Sequence, residues 1–418
     1  MLPFAASGAI ASMGVKNPYE RCDSLASEFR RMSQHSDFAP KPKGPIQNGA
    51  ALAGADGYPT ELSALIAFAS FALCCATFIV AVTRVHNFWD MSRIHGDNAG
   101  YLTIAQATLE WRFDGPDLQN VRYLYRGTAY CVALVSKLTS LPVARCLPLV
   151  TMACGALGLY FCGRLWGWRV ATLFAFINVA YTQRVCLGGC ESIFVVFLFA
   201  SLWLWRKQHT LGAMTCAALA LWTRPTGVFL PVALGAVLLW HRRWRDLLRS
   251  ALVVAFLGAL YLIPIIFAAK DPLAPVNGYA DDWSGASPIT LPFYPLVHEA
   301  LTGGWPWTYI LKNSIYVALT VFGVVTLWKR RREAFADVAG QVESAFFLLF
   351  AAFCVSYNSN WAFAEYPRFS TPIIPQSVIG LRSRLLHSWV ILPMSVVAGL
   401  LSAVSALNVR AVFHMLLH

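Results

Sequence analysis

The residues with the most chemical potential begin in a short polar segment, residues 89–105, which directly follows the first long apolar run. It contains two carboxylates, Asp90 and Asp97, the second within the run GDNAGY. A carboxylate directly after a membrane span lies at the membrane surface or in a wet cavity, because hydrocarbon cannot solvate its charge. This segment is therefore a candidate for chemistry that uses a carboxylate.

Each of the two carboxylates has two interpretations. The glycines on either side of Asp97 favour a turn that presents it, and Tyr101 begins an amphipathic helix. Asp97 is then either an active carboxylate or the N-cap of that helix. Asp90 follows Trp89 and is either a site residue or part of ordinary interfacial anchoring, which is the simpler interpretation.

The composition places these residues in a polytopic membrane protein. Of the 418 residues, 57% are hydrophobic and 13% are charged, against about 25% charged in an ordinary soluble domain, and the mean hydropathy is +0.54. The net charge of +12 comes as short basic clusters between apolar runs, which excludes a nucleic-acid-binding domain. The 11 cysteines form neither a disulfide framework nor a zinc spacing.

The apolar runs predict an all-α transmembrane bundle of about 10–12 spans. The runs lie at 62–83, 145–163, 169–184, 188–205, 210–223, 226–240, 249–269, 307–328, 342–356, 370–383 and 387–408. Residues 1–60 lack sustained periodicity and are predicted to form a flexible cytosolic tail. Residues 61–418 then form the transmembrane domain.

The basic clusters predict the orientation, because short cytoplasmic loops carry the excess of Lys and Arg. Clusters at 164/169, 206/207, 242–245, 329–332 and 382/384 are assigned to the cytoplasm. If residues 125–141 crossed the membrane, the first two clusters would fall on opposite faces. That run is therefore predicted to be an interfacial or re-entrant helix on the outer face. The outer loops are then about 84–144 and 270–306.

Four outward arginines and one glutamate need an explanation other than the positive-inside rule. The glutamate, Glu191, is stabilised by a helix N-terminus or serves a polar purpose. Arg224, in TRPTG, has no topological reason to lie outside, and a phosphate partner accounts for it because a guanidinium binds phosphate bidentately. The same argument applies to Arg122, Arg126 and Arg368. The alternative is that each side chain snorkels to a lipid headgroup.

The order of these features resembles the GT-C superfamily of integral-membrane glycosyltransferases. The resemblance covers about residues 62–385 and rests on the Trp-Asp step, the pattern D-x-x-x-Y-x-x-I-A from Asp97, the TRPTG turn and a late YPRF. The first loop is similar to that of the GPI mannosyltransferase and related bacterial polyprenyl-phosphate-sugar transferases. Where many relatives have FFPLYP, this chain has YLYRGT, with Arg126 in place of a proline. This difference favours the bacterial relatives, and a bacterial plasma membrane over the endoplasmic reticulum.

The resemblance implies transfer of a hexose or mannose-like sugar from a polyprenyl- or dolichyl-phosphate donor to a lipid, glycan or protein acceptor on the non-cytoplasmic face. Asp97 corresponds to the catalytic base of an inverting single displacement. The donor phosphate is held by Arg126, Arg224 and Arg368. The remaining candidate substrate-binding residues are Asp90, Tyr101, Arg122 and Glu191.

Two questions stay open in the sequence. The need for a metal is one of them, because Asp281 and Asp282 either offer hard oxygen ligands to Mg or Mn or are simply solvated loop residues. The rival function is a transporter or lipid flippase. Such proteins often have paired repeats with charges near mid-membrane, whereas this chain has no obvious repeat and its unexplained charges gather on one face.

Overall fold

The computed structural model describes residues 60–121, 123–269, 289–358, 363, 365–379 and 390–407. Within these ranges the chain is helical and forms no strand, apart from a single bridge between Ile289 and Tyr357. The predicted all-α class is confirmed. The predicted tail, Arg122 and the Asp281–Asp282 pair lie outside the described residues, so those predictions stay predictions.

The helices of the first half include those of the predicted first outer loop. They are α1 (Thr60–Thr83), α2 (Phe88–Ile94), α3 (Asn98–Leu109), α4 (Pro116–Asn120), α5 (Gly127–Thr139), α6 (Val143–Trp166), α7 (Trp168–Ile177), α8 (Val179–Leu187), α9 (Glu191–Arg206) and α10 (Thr210–Thr223). At 13 residues, α5 is about 20 Å long, too short to cross a bilayer and in keeping with an interfacial helix.

The second half contains long helices separated by short ones. They are α11 (Phe229–Trp240), α12 (Trp244–Ala269), α13 (Tyr294–Thr302), α14 (Trp307–Lys329), α15 (Arg331–Ala334), α16 (Val338–Ser356), α17 (Tyr366–Ser370), α18 (Ile374–Val378) and α19 (Ile391–Ala406). Two 3-10 turns, Pro225–Val228 and Thr371–Ile373, precede α11 and α18.

Five of these helices, α1, α6, α12, α14 and α16, are long and apolar enough to cross a membrane. The pair α7 and α8 makes a sixth candidate, bent by 83°. The other apolar runs form shorter helices, among them α10, the segment Pro225–Trp240 and α19. The chain is thus an integral, multi-pass membrane protein. Large exposed apolar side chains on α12, such as Leu252 and Phe256, are those that lipid covers.

The predicted span at 169–184 is interrupted at Asn178, which is fully buried. Its side-chain oxygen accepts a hydrogen bond from the backbone N–H of Tyr181 and thereby caps α8. Its amide nitrogen donates to the hydroxyl of Thr371 at 2.9 Å. An asparagine that satisfies backbone and side-chain groups in this way competes with helix continuation, so the run bends.

Charged residues sort to the two ends of α9, which is 16 residues and about 24 Å long. At its C-terminal end, Arg206 pairs with Glu343 and donates to the carbonyl oxygen of Leu165. Three of the charged residues assigned above to the outer face, Glu191, Arg224 and Arg368, meet at its N-terminal end. The bundle therefore separates the predicted cytoplasmic clusters at 164 and 206 from the candidate site.

Candidate active site

Asp97 lies in a tight turn between α2 and α3. The backbone N–H of Asn98 donates to the carbonyl oxygen of His95 at 3.2 Å, which closes the turn. The Asn98 side chain is buried and donates to the carbonyl oxygens of Ser92 (2.6 Å) and Leu187 (2.5 Å). The turn is thereby fixed to the C-terminal end of α8.

Glycine is favoured at position 96 of this turn for two reasons. Its φ of +54° is in the left-handed region, which favours glycine. A Cβ atom at this position would also meet the Arg184 guanidinium, which covers the turn from α8. Any side chain at position 96 would displace either Arg184 or the turn that carries Asp97.

Asp97 occupies the N-cap position of α3, but its side chain makes no capping hydrogen bond. The alternative interpretation of this residue as a mere cap is therefore not supported by the geometry. Its carboxylate is 35% exposed, and Oδ2 lies 3.7 Å from Nη2 of Arg368. A carboxylate that forms no capping hydrogen bond, has one cationic neighbour and is partly exposed to solvent is free to take a proton from a bound hydroxyl group.

Glu191 is the first residue of α9 and is 1% exposed. Its Oε1 atom receives hydrogen bonds from Nε of Arg368 and from Nη1 of Arg224, the second at 3.4 Å. Its Oε2 atom has no hydrogen-bond partner among the described residues. One buried carboxylate thus bridges two guanidinium groups, an arrangement that is costly to dismantle because removing the anion leaves buried positive charge.

Arg224 is placed by the end of α10. The residue before a proline disfavours the helical region, and Arg224, before Pro225, is extended with φ −153° and ψ 142°. Its guanidinium lies over the rings of Phe194 and Phe369, at 5.9 and 5.2 Å from the centroids. These cation–π contacts stabilise a charge that is 8% exposed.

Arg368, on α17, joins the two carboxylates, since it contacts both Asp97 and Glu191. Four side chains therefore form a continuous series, Asp97, Arg368, Glu191 and Arg224, which we call the charged network. Two of its four charges are negative and two are positive. The sequence placed all four on one face, and the structure brings them into contact.

Two neighbours of the charged network were not singled out as site residues by the sequence. Arg184, which covers Gly96, pairs with Glu365 at 3.7 Å. Nε2 of His95 lies 3.1 Å from Nε2 of Gln183, and its Nδ1 atom is buried with no partner among the described residues. Burial, together with the positive charge of Arg184, lowers the pKa of His95 to about 4. No local pattern marks His95, because its contacts come from α8.

The depressed pKa of His95 predicts a pH dependence of stability. Between its ordinary value of 6.5 and about 4, the unfolded chain binds a proton at this residue that the folded chain does not. Stability should therefore fall as the pH is lowered through this window. Thermal unfolding of the wild type and of His95→Gln between pH 7 and 4 measures the effect. The variant should show a shallower decline, and an unchanged slope would contradict the assignment.

The other described candidate residues form no ion pair with the charged network. Tyr101 is buried in a cluster that includes Ile104 and Cys190. Asp90 is exposed in the first turn of α2 and makes no ion pair with a described residue. Arg126 is buried at the start of α5, beside α12. The described residues hold no group of three His, Cys, Asp or Glu side chains placed to bind a metal ion.

No protein-family model and no curated protein matches the chain. Among solved structures, it is similar to the crystal structure of ArnT from Cupriavidus metallidurans bound to undecaprenyl phosphate, with 15% sequence identity and a TM-score of 0.44. The match covers 77% of this chain and 60% of that protein, so the chain spans less than two thirds of its length. Similarity at this level establishes neither a family nor an activity.

Proposed function

We propose that the protein is a GT-C type membrane glycosyltransferase that transfers a hexose or mannose-like sugar from a polyprenyl- or dolichyl-phosphate donor to a lipid, glycan or protein acceptor. The observation that carries the proposal is the charged network. It combines the partly exposed carboxylate of Asp97, which forms no capping hydrogen bond, with the buried guanidinium groups of Arg224 and Arg368 at one end of a membrane bundle. This is the combination that a displacement at a sugar phosphate needs.

In the proposed reaction, Asp97 is the general base. The acceptor oxygen forms a bond to the anomeric carbon while the bond from that carbon to the phosphate oxygen breaks. The proton of the acceptor passes to Asp97, and the electron pair leaves with the polyprenyl phosphate. A single displacement inverts the anomeric configuration. Arg224 and Arg368 favour the negative charge that develops on the leaving group.

Glu191 has a positioning role in this proposal. Without its carboxylate, two buried guanidinium groups would repel each other next to the reacting atoms. With it, Arg224 and Arg368 are held in fixed positions before the donor binds. Such preorganisation is effective because the groups do not reorient during the reaction.

An apolar groove of about 700 Å³ between α13 and α14 suits the donor tail. Its walls include Leu296, Val317 and Val321, and its polar lining includes Asn313, which donates to the carbonyl oxygen of Phe363. Phe363 lies two residues before Glu365, which pairs with Arg184 beside the charged network. A polyprenyl chain in the groove would therefore end close to the proposed site.

The groove predicts a chain-length effect. Ala318 lines the groove and is exposed, so Ala318→Trp should obstruct it without disturbing the core. We expect the KM for a long-chain polyprenyl-phosphate sugar to rise at least about fivefold, because buried apolar contact is lost, with little change for a short-chain analogue. Steady-state assays with both donors measure this.

The control is Ile315→Trp, an exposed position on α14 outside the groove. It should leave both KM values near the wild-type values. Equal effects of the two substitutions, or equal effects on both donors, would show that the tail lies elsewhere.

The experiment that tests the proposed function uses the purified chain in liposomes that contain a polyprenyl-phosphate sugar labelled in the sugar, with membrane extract as the source of acceptor. A glycosyltransferase places the label in a new product. A flippase or transporter, the second candidate, moves the intact donor between leaflets and forms no new product. Movement of label without a new product would overturn the proposal.

A further inference from the structure

The turn between α11 and α12 carries a dense group of arginines. Residues 242–249 contain Arg242, Arg243, Arg245 and Arg249 but a single carboxylate, Asp246. Asp246 already has a partner, because Nε of Arg243 donates to its Oδ2 atom at 2.8 Å. The other three arginines are exposed and form no ion pair with a described residue. Three neighbouring cations are therefore left without a counter-ion from the part of the chain that the structure describes.

This turn lies at the level of the lipid headgroups. Residues 251–269 of α12 carry no charge and span about 28 Å, close to the thickness of the hydrocarbon core. The first turns of α12, with Arg245 and Arg249, therefore extend beyond the hydrocarbon into the headgroup layer. Trp240 and Trp244, which are 82% and 59% exposed, flank the turn, and tryptophan is enriched at this level of a membrane. The arginines thus lie where phospholipids have their phosphate groups.

Arg245 and Arg249 continue into an apolar stripe along one face of α12. At 3.6 residues per turn, these two arginines and the side chains of Leu252 and Phe256 fall within about 60° of arc. Leu252 and Phe256 are 61% and 64% exposed, so the bundle does not cover this face. One leaflet of hydrocarbon is about 15 Å thick, which corresponds to about ten helical residues. A phospholipid with its phosphate at the arginines therefore has its acyl chains beside Leu252 and Phe256.

The positive-inside rule alone would also place arginines on this side of the membrane, with water around them. The basic segment at the start of α15 shows the difference. There Arg330 pairs with Glu333 at 3.0 Å, and Arg331 lies over the Trp328 ring, 4.8 Å from its centroid. Helix α15 ends after four residues, at Ala334, and offers no apolar stripe to acyl chains. Unpaired arginines that lead into an exposed apolar face distinguish α12 from α15.

We propose that the start of α12 binds an anionic phospholipid of the leaflet on the predicted cytoplasmic side. Arg245 and Arg249 bind its phosphate, since a guanidinium and a phosphate pair bidentately, and Arg242 adds to the positive charge. The acyl chains cover Leu252 and Phe256. This site is separate from the charged network and does not depend on sugar transfer.

The lipid supplies contacts that the bundle does not give to α12. Only 17% of the most apolar stretch of α12 is buried, against 61% for α6, and this is the smallest fraction among the five long helices. The far part of α12 contacts Arg126, since the Tyr261 hydroxyl and the Pro264 carbonyl oxygen each accept a hydrogen bond from it at 3.4 Å. A phospholipid at the start of α12 therefore steadies the helix against which Arg126 packs.

Native mass spectrometry of the purified full chain in detergent tests the site, with dioleoyl phosphatidylglycerol as the probe. The wild type should retain this lipid in preference to phosphatidylcholine with the same chains. Each arginine near an anionic lipid surface changes the affinity about fivefold. Arg249→Gln should thus weaken binding about fivefold, and the double variant Arg245→Gln/Arg249→Gln about 25-fold.

The matched control is Arg331→Gln/Arg332→Gln, which removes the same charge from exposed positions on the same predicted side. It should bind phosphatidylglycerol within about twofold of the wild type. In phosphatidylcholine nanodiscs, Arg245→Gln/Arg249→Gln should unfold within about 2 °C of the wild type, because both positions are exposed. Added phosphatidylglycerol should then raise the Tm of the wild type more than that of this variant.

Wild-type affinity for phosphatidylglycerol in Arg245→Gln/Arg249→Gln would overturn the proposal. So would an equal loss in the α15 control, since the lipid would then respond only to the net charge of this side. A large drop in Tm without anionic lipid would show that the two arginines support the fold instead. If undecaprenyl phosphate displaced phosphatidylglycerol at a lower concentration, the occupant would be the donor lipid, and the assignment to a phospholipid would be wrong.

Discussion

Replacing Asp97 with asparagine should reduce sugar transfer by about 10²–10⁴-fold, the range for removal of a general base. Asparagine keeps the size of the side chain but cannot accept the proton of the acceptor hydroxyl. The fold should be preserved, because the Asp97 side chain makes no capping hydrogen bond and is 35% exposed. Initial rates with a labelled polyprenyl-phosphate sugar, at equal amounts of folded protein, measure the effect.

The matched control for Asp97→Asn is Asp114→Asn. Asp114 is an exposed aspartate of the same predicted loop, and its side chain forms no ion pair with a described residue. Its replacement should leave the rate within about twofold of the wild-type rate, since surface substitutions have small effects. Wild-type activity in Asp97→Asn would remove Asp97 as the base. A similar loss of activity in both variants would show that the effect comes from the charge of the loop rather than from Asp97.

Replacing Glu191 with glutamine should destabilise the protein by about 3–5 kcal/mol, the range for breaking a buried ion pair by removing one partner. Glu191 is 1% exposed and neutralises both Arg224 and Arg368, so its loss leaves two buried guanidinium groups without an anion. Activity should be lost as well, since the two cations no longer have a fixed position. Thermal unfolding in detergent and the transfer assay measure the two effects.

A surface glutamate provides the comparison for Glu191. Glu110 is 48% exposed and lies 3.6 Å from Arg112, and exposed pairs of this kind contribute little to stability. Glu110→Gln should change the free energy of unfolding by less than about 1 kcal/mol. The double variant Glu191→Gln/Arg224→Gln should be more stable than Glu191→Gln alone, because it removes one of the unpaired charges. Wild-type stability in Glu191→Gln would show that the network does not hold this end of the bundle.

The long spans were predictable from the sequence because hydrophobic length is a local property. The runs at 62–83 and 307–328 match α1 and α14 to within about two residues. The run at 370–383 instead forms short helical pieces within its described part. Its prolines, Pro372 and Pro375, were a visible signal for this difference. The second contact of Asn178, to Thr371, lies nearly 200 positions away and had no local signal.

The sequence was sufficient to predict which residues belong to the site, but not which of them contact each other. Charges that interrupt apolar runs drew attention to Glu191, Arg224 and Arg368, because such charges are expensive in a membrane. Their pairing depends on contacts as distant as 177 positions along the chain, which no local pattern encodes. The sequence also treated Arg126 like the other arginines. Only the packing distinguishes Arg126 from Arg224 and Arg368, because Arg126 has no carboxylate partner among the described residues.

The most direct test of sugar transfer is the fate of a polyprenyl-phosphate sugar that carries one label in the sugar and a second in the phosphate. After incubation with the purified chain and acceptor, the sugar label should appear in a new product while the phosphate label stays on the polyprenyl lipid, one for one. This result requires cleavage between the anomeric carbon and the phosphate oxygen, and it should be lost in Asp97→Asn. Both labels in one product, or both in unchanged donor, would contradict the account.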